Sequence, residues 1–225
     1  DLVVEAVFEN LELKKGIFQK LDHLCPEKTI FASNTASLMP SILGEEIKRQ
    51  DRLLVAHYFY PPHLMPLVEL VRSKWTSDNT VDIVRRLLES AGHVVVIMQK
   101  EAAGFIVNRL QYALFLEVFN LVEKGYATPQ DIDLATKNSF GPRLAWAGPI
   151  EIMEVQAGWE LIQQEATNIL PDLKKSSDFP AVVQEKVAQG ELGAKTGKGF
   201  YDWPADKVQA WRKMMARNLM HRFFS

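Results

Sequence analysis

A change of period near residue 100 constrains this chain more than anything else in its sequence. Up to Met98, short apolar runs alternate with amphipathic stretches; beyond Lys100 only helical spacing remains. Leu2-Val3-Val4, Thr29–Ala32, Leu53–Phe59, Leu67–Val71 and His93–Met98 read as strands, since unbroken apolar runs suit strands covered on both faces. Between them, helices are expected from Asn10 to about Cys25, where Pro26 stops the run, from Pro40 to Lys48, and from Thr80 to Ala91 ahead of Gly92. Such alternation predicts a layered β/α domain with a largely parallel sheet. The second half predicts one long helix over Phe105–Lys124 and another led by Thr128 as N-cap and Pro129 at its first position. Further helices are expected near 149–169, 179–189 and 205–223. The domain boundary therefore falls between an α/β part, 1–99, and a helical part, 100–225.

Composition narrows the function classes. The 225 residues are 47% apolar and 24% charged, an ordinary balance for a packed protein and unlike a disordered or collagenous chain. The formal charge of −2 offers no whole-chain attraction for nucleic acid or anionic lipid. No apolar run reaches the roughly 18–20 residues that span a bilayer, so no membrane partner is expected. The single cysteine, Cys25, allows no internal disulfide and fits a reducing compartment such as the cytoplasm. With five dispersed histidines, no metal cluster is expected.

Three places offer chemistry. Tyr60–Pro66 holds three prolines and cannot continue a ladder, so strands 53–59 and 67–71 are expected to form a hairpin centred on His63. His57 and Glu69 then lie six residues either side of that centre, as cross-strand neighbours on one face. A carboxylate beside an imidazole fixes its tautomer and stabilises its protonated form, as a general base requires. Spacing alone leaves a second reading, a half-buried histidine and a solvated glutamate at a sheet edge. Asn108, in the first turn of the long helix behind Gly104, has an amide that donates either to a substrate oxygen or to a helix contact. Ser33-Asn34-Thr35, at a strand's carboxyl end, lies where α/β sheets bind ligands, or forms an ordinary polar turn. Gly193–Gly199 has the wrong spacing for a phosphate loop, and no G-x-G-x-x-G occurs anywhere.

These segments resemble, in order along nearly the whole chain, the L-3-hydroxyacyl-CoA dehydrogenase family, including its L-gulonate 3-dehydrogenase and lambda-crystallin branch. The stretches are DLVVEAVFENLELK (1–14), FASNTASL (31–38), AHYFYPPHLMPLVELV (56–71), AGFIVNRLQYAL (103–114), ATPQDIDLA (127–135), GPIE (148–151) and KTGKGFYDW (195–203). The resemblance implies an α/β fold: an incomplete Rossmann-like dinucleotide-binding domain followed by an all-α C-terminal domain that forms a homodimer contact. The family's glycine turn and first βαβ unit would precede Asp1, where the chain opens directly on a strand. By itself this chain is then expected to be inactive and to bind NAD weakly or not at all.

The family's activity implies NAD-dependent oxidation of an L-3-hydroxyacyl-CoA to the 3-oxoacyl-CoA, within fatty-acid β-oxidation. The matching roles are a general base at His57, its orienting carboxylate at Glu69 and a substrate amide at Asn108. Glu9, Lys14, Asn34 and Tyr60 match cofactor-site positions, and Ser37 a substrate-binding one. Besides Glu101-Ala102-Ala103, which replaces the usual Asp-Thr-Pro before Gly-Phe, two positions near the site depart from the family. Ala36 stands where relatives carry the first serine of SNTSS, and Tyr60 where they carry the asparagine of HFFNP. These departures keep a free 3-hydroxy acid such as L-gulonate open as the substrate, and an inactive crystallin-like protein open as another class.

Overall fold

The structure is a computed structural model that describes residues 1–156 and 158–224. The residues form two compact units, Asp1–Gln111 together with the stretch from Trp211, and Tyr112–Ala210.

The first unit is built on one five-stranded sheet with strands in sequence order: β1 (Leu2–Glu5), β2 (Ile30–Ser33), β3 (Leu53–Tyr58), β4 (Leu67–Arg72) and β5 (Val94–Met98). β1, β2 and β3 run parallel, β3 and β4 pair antiparallel, and β4 and β5 are again parallel. The parallel connections use helices α1 (Leu11–Leu24), α2 (Pro40–Leu43) and α3 (Asp78–Ser90). The Asn10 side chain accepts from Leu13 N–H and starts α1; Ser77 does the same for α3 through Thr80 N–H. At the far end of α1, the Arg49 guanidinium donates to the carbonyls of Leu21, Asp22, Cys25 and Pro26, adding donors where a helix runs short of them. α2 is shorter than expected. It stops at Gly44, a poor helix former, and Gln50 Nε2 takes up the Gly44 and Glu45 carbonyls instead.

Strand parity divides the core. Phe31, Leu53, Val55 and Val71 point to one face, where they meet Phe18 of α1, with Leu43, Ile47 and Phe105. Ile30, Ala32, Leu54, Ala56, Val68 and Leu70 point to the other and meet Val84 and Leu88 of α3. Burying one such side chain stabilises by about 1.5–3 kcal/mol. The period of two carries the next positions along: residues 57 and 69 share the face of Val55, Val71 and Phe105. One expectation is corrected at the edge of the sheet, where Val4 is 42% exposed rather than covered.

The second unit is helical. α4 (Val107–Glu123), α5 (Pro129–Lys137), α6 (Phe140–Leu144), α7 (Pro149–Gln156), α8 (Gly158–Ile169), α9 (Ala181–Ala188) and α10 (Ala205–Phe224) complete the element order, with α4 and α10 extending beyond this unit. Thr128 caps α5 by accepting from Asp131 N–H, with Pro129 first in the helix as expected. The helical stretch expected near 149–169 is described as α7 and α8; residue 157, between them, lies outside the described residues. Beyond Met98 the described residues hold only isolated bridges, Gly193 with Lys198 and Lys198 with Asp202. Lys198 is ion-paired to Glu191 at 2.7 Å, which fits a structural turn.

Candidate active site

β3 and β4 bring the first two candidates together. The antiparallel register sets His57 opposite Glu69, as the spacing predicts, and Nδ1 lies 3.0 Å from Oε2. Both side chains are buried, His57 6% and Glu69 1% exposed as residues, so neither is the solvated edge group that spacing left open. Glu69 Oε1 accepts from two backbone amides at the head of α4, Ile106 at 3.0 Å and Val107 at 2.9 Å. The buried carboxylate thus lies on the positive end of the helix, with Oε1 held by two amides. An ionised carboxylate only accepts, so we assign the neutral imidazole proton to Nδ1, which leaves Nε2 as the basic nitrogen. Rings close around the imidazole: Phe59 at 4.5 Å and Phe105 at 5.4 Å between centroids.

The head of α4 also places Asn108. Its Nδ2 donates to the Ala36 carbonyl at 2.9 Å, which ties the helix to the turn after β2. A primary amide has two N–H groups, so this bond leaves one donor for another acceptor. The same turn is held from its other side by Glu9. Glu9 Oε1 accepts from the Thr35 hydroxyl, from the Ser37 hydroxyl at 3.0 Å and from Ala36 N–H at 3.3 Å. Burial pushes the Glu9 carboxyl upward, but the Thr35 and Ser37 hydroxyls and the Lys14 ammonium outweigh it and bring it below the usual carboxylate range.

The remaining candidates are placed less uniformly. Lys14 is fully buried and faces inward: its Nζ donates to Glu5 Oε1 at 2.7 Å and to the Val7 carbonyl at 3.2 Å, with Glu9 Oε2 at 3.5 Å. It meets the site through Glu9. Asn34 spends Oδ1 on Tyr58 N–H at 3.0 Å and so joins the end of β2 to β3. Tyr60 is 88% exposed and precedes a cis peptide bond to Pro61. Residues that sequence reasoning passed over are Glu5, whose Oε2 also accepts from the Ser33 hydroxyl at 2.6 Å, and Phe105. An acidic residue closing an apolar strand was the one available signal for Glu5; Phe105 carried none.

The loops after β1, β2 and β3 leave the sheet at the carboxyl ends of its parallel strands, the place where such sheets bind nucleotides. There, the part-exposed, ionised Glu9 can accept from hydroxyl groups, and Asn108 and His57 can hydrogen-bond an oxygen-bearing ligand. The glycine turn that would take a diphosphate is not among residues 1–225. Among the described residues no group of three metal-ligating side chains occurs, and no helix is long and apolar enough to cross a membrane.

Comparison with known proteins agrees with this layout. The model of the 3-hydroxyacyl-CoA dehydrogenase NAD binding domain matches residues 1–102, and that of the 3-hydroxyacyl-CoA dehydrogenase C-terminal domain matches 104–203. The chain is 31% identical over 220 residues to 5-formyl-3-hydroxy-2-methylpyridine 4-carboxylate 5-dehydrogenase of Mesorhizobium japonicum, covering 98% of this chain and 71% of that protein. It is 37% identical to the mitochondrial hydroxyacyl-coenzyme A dehydrogenase of Mus musculus (90% of this chain, 64% of that one). It is 38% identical to the lambda-crystallin homolog of Homo sapiens (83% and 60%), so it spans under two thirds of these last two relatives. Among solved structures, that of the 5-formyl-3-hydroxy-2-methylpyridine 4-carboxylic acid 5-dehydrogenase superposes with a TM-score of 0.93 at 30% identity, over 98% of this chain and 71% of that one. The 3-hydroxybutyryl-CoA dehydrogenase of Escherichia coli superposes with 0.72 at 32% identity, over 90% and 42%. The chain belongs to the 3-hydroxyacyl-CoA dehydrogenase family of NAD-dependent oxidoreductases.

Proposed function

We propose that the protein oxidises the 3-hydroxyl of an L-3-hydroxyacyl-CoA to the 3-oxo product, with His57 as general base. The observation that carries this reading is the buried pair of His57 Nδ1 and Glu69 Oε2 at 3.0 Å. His57 Nε2 accepts the hydroxyl proton, and the carboxylate on the other ring nitrogen balances the imidazolium that forms. Asn108 directs its remaining N–H to the substrate oxygen, held in place by its bond to Ala36. Glu9 holds the 35–37 turn and offers its open lone pairs to the ribose. NAD, when bound, supplies the hydride acceptor for C3.

A second substrate reading has its own support. At position 36 the turn presents a methyl group, and the Ser37 hydroxyl is committed to Glu9. The solved structure with the TM-score of 0.93 is that of an enzyme named for a free pyridine carboxylic acid. A panel of L-3-hydroxybutyryl-CoA, L-3-hydroxybutyrate and L-gulonate with NAD, followed by NADH absorbance of the complete gene product, separates the two. We expect turnover of the thioester. Turnover of free acids alone decides for the second reading. Silence on the whole panel, with no NAD binding by calorimetry, sinks both and leaves the crystallin-like class.

We also propose that the helical domain pairs two copies. Leu134, Ile150, Val155 and Trp159 are each more than half exposed in it, an apolar load that a partner would cover. Light scattering of the complete gene product should report a dimer at micromolar concentration; a monomer would refute the pairing.

A further inference from the structure

Phe105 is the one non-glycine residue with a left-handed backbone among the described residues, at φ 55°. Glycine adopts that conformation freely and a bulky side chain does not, so phenylalanine there sits against its backbone preference. The residue before it, Gly104, is also left-handed, at φ 76°. Two left-handed residues in succession delay α4 to Val107, two positions later than the apolar spacing predicts. They also turn the next two amides, Ile106 and Val107, onto the same oxygen of Glu69. With Oε1 taken twice, Oε2 is the oxygen that meets His57 Nδ1. The Phe105 ring is fully buried, packed among the side chains of the α1 face and against the imidazole. Burial of the ring therefore offsets the backbone cost of the turn that aims the amides, a cost that glycine at this position would not carry.

We infer that Phe105 is a positioning residue for His57: its left-handed backbone, whose conformational cost the buried ring offsets, aims two amides at Glu69 and so keeps the imidazole proton on Nδ1. If 104–105 relaxed to an ordinary conformation, a buried carboxylate would lose two of its three donors. With Oε1 no longer tied down, the carboxylate would be free to turn Oε2 away from Nδ1, and Nε2 would no longer be reserved as the base. The consequence for catalysis rests on His57 being the base, but the imidazole can be observed directly, without turnover.

The test compares Phe105→Gly, which keeps the backbone accessible and removes the ring, with Phe105→Val, whose branched side chain opposes a positive φ. Long-range nitrogen–proton NMR correlation reads the His57 tautomer above neutral pH, and hydrogen exchange reads the Ile106 and Val107 amides. The parent protein and Phe105→Gly should show the Nδ1–H tautomer and slow exchange at both amides. Phe105→Val should show a mixed tautomer and exchange faster by about tenfold, the size of one net hydrogen bond. Parent-like behaviour of Phe105→Val, or equal losses in both variants, overturns the inference. If circular dichroism shows Phe105→Val unfolded, Gly104→Ala decides. A Cβ there has room, its nearest neighbours being Arg109 Cγ at 3.6 Å and Asn108 Cβ at 3.7 Å, so the strain is confined to the backbone. It should move tautomer and exchange in the same direction, and an unchanged protein overturns the inference. Absence of His57-dependent turnover would overturn the proposed reaction while leaving the tautomer result standing.

Discussion

His57→Ala is expected to lower kcat/KM of the complete gene product by about 10²–10⁴-fold, the range that a positioned general base contributes. Its Nε2 is the only imidazole nitrogen at the site without a carboxylate partner, and Glu69 blocks Nδ1 at 3.0 Å. NAD affinity should hold steady, because the ribose contact is assigned to Glu9 on a different loop. Glu69→Gln tests the other half of the pair. It keeps the volume and an acceptor for the Ile106 and Val107 amides, and removes the charge that balances an imidazolium. A drop smaller than that of His57→Ala is expected, with kcat falling more than KM rises, since the charge matters most once the proton has moved. The reading fails if His57→Ala loses less than about tenfold, well below what a positioned general base contributes.

Glu5→Ala carries the largest expected effect on stability, about 3–5 kcal/mol, the usual result of removing one partner from a buried ion pair. The Lys14 side chain is 0% and the Glu5 side chain 1% exposed, with Nζ to Oε1 at 2.7 Å. Without Glu5 the ammonium retains the Val7 carbonyl and, at 3.5 Å, the part-exposed Glu9. Ser33 loses its acceptor as well. Urea unfolding of the first unit's signal should show the loss, and the paired change Glu5→Leu with Lys14→Met should cost less than Glu5→Ala alone. That ordering separates an uncompensated charge from a packing defect. A single-variant cost below about 1 kcal/mol would place the pair among weak surface bridges, against its burial.

Glu5 and Lys14 also show where sequence reasoning stops. Nine residues apart, on a strand and the following helix, they have no periodic relation that marks them as partners. Their pairing depends on how far α1 slides along the sheet. The resemblance makes Lys14 a cofactor-site position, but nothing in the sequence shows that its side chain turns inward onto Glu5. Asn108 meets Ala36 across 72 positions of sequence, and nothing local to either residue announces the bond. Phe105 is a similar case, because a left-handed backbone is signalled in sequence by glycine or asparagine and not by a buried aromatic.

Other features were legible because they rest on local rules. Apolar runs against helical spacing separate the α/β part from the helical one near residue 100. The strand period of two along β3 and β4 assigns each residue to a face, and the symmetric distance of His57 and Glu69 from His63 sets them opposite one another once the strands pair. Thr128-Pro129 announces a helix start. These are nearest-neighbour effects of backbone geometry, with periods of 2.0 and 3.6 residues. The sequence by itself determined the layers, the faces and the His57–Glu69 register. Only the tertiary structure decided which buried charges meet, which amides reach Glu69 and which way Lys14 points. Those outcomes follow from the packing distance between elements, which no single element encodes.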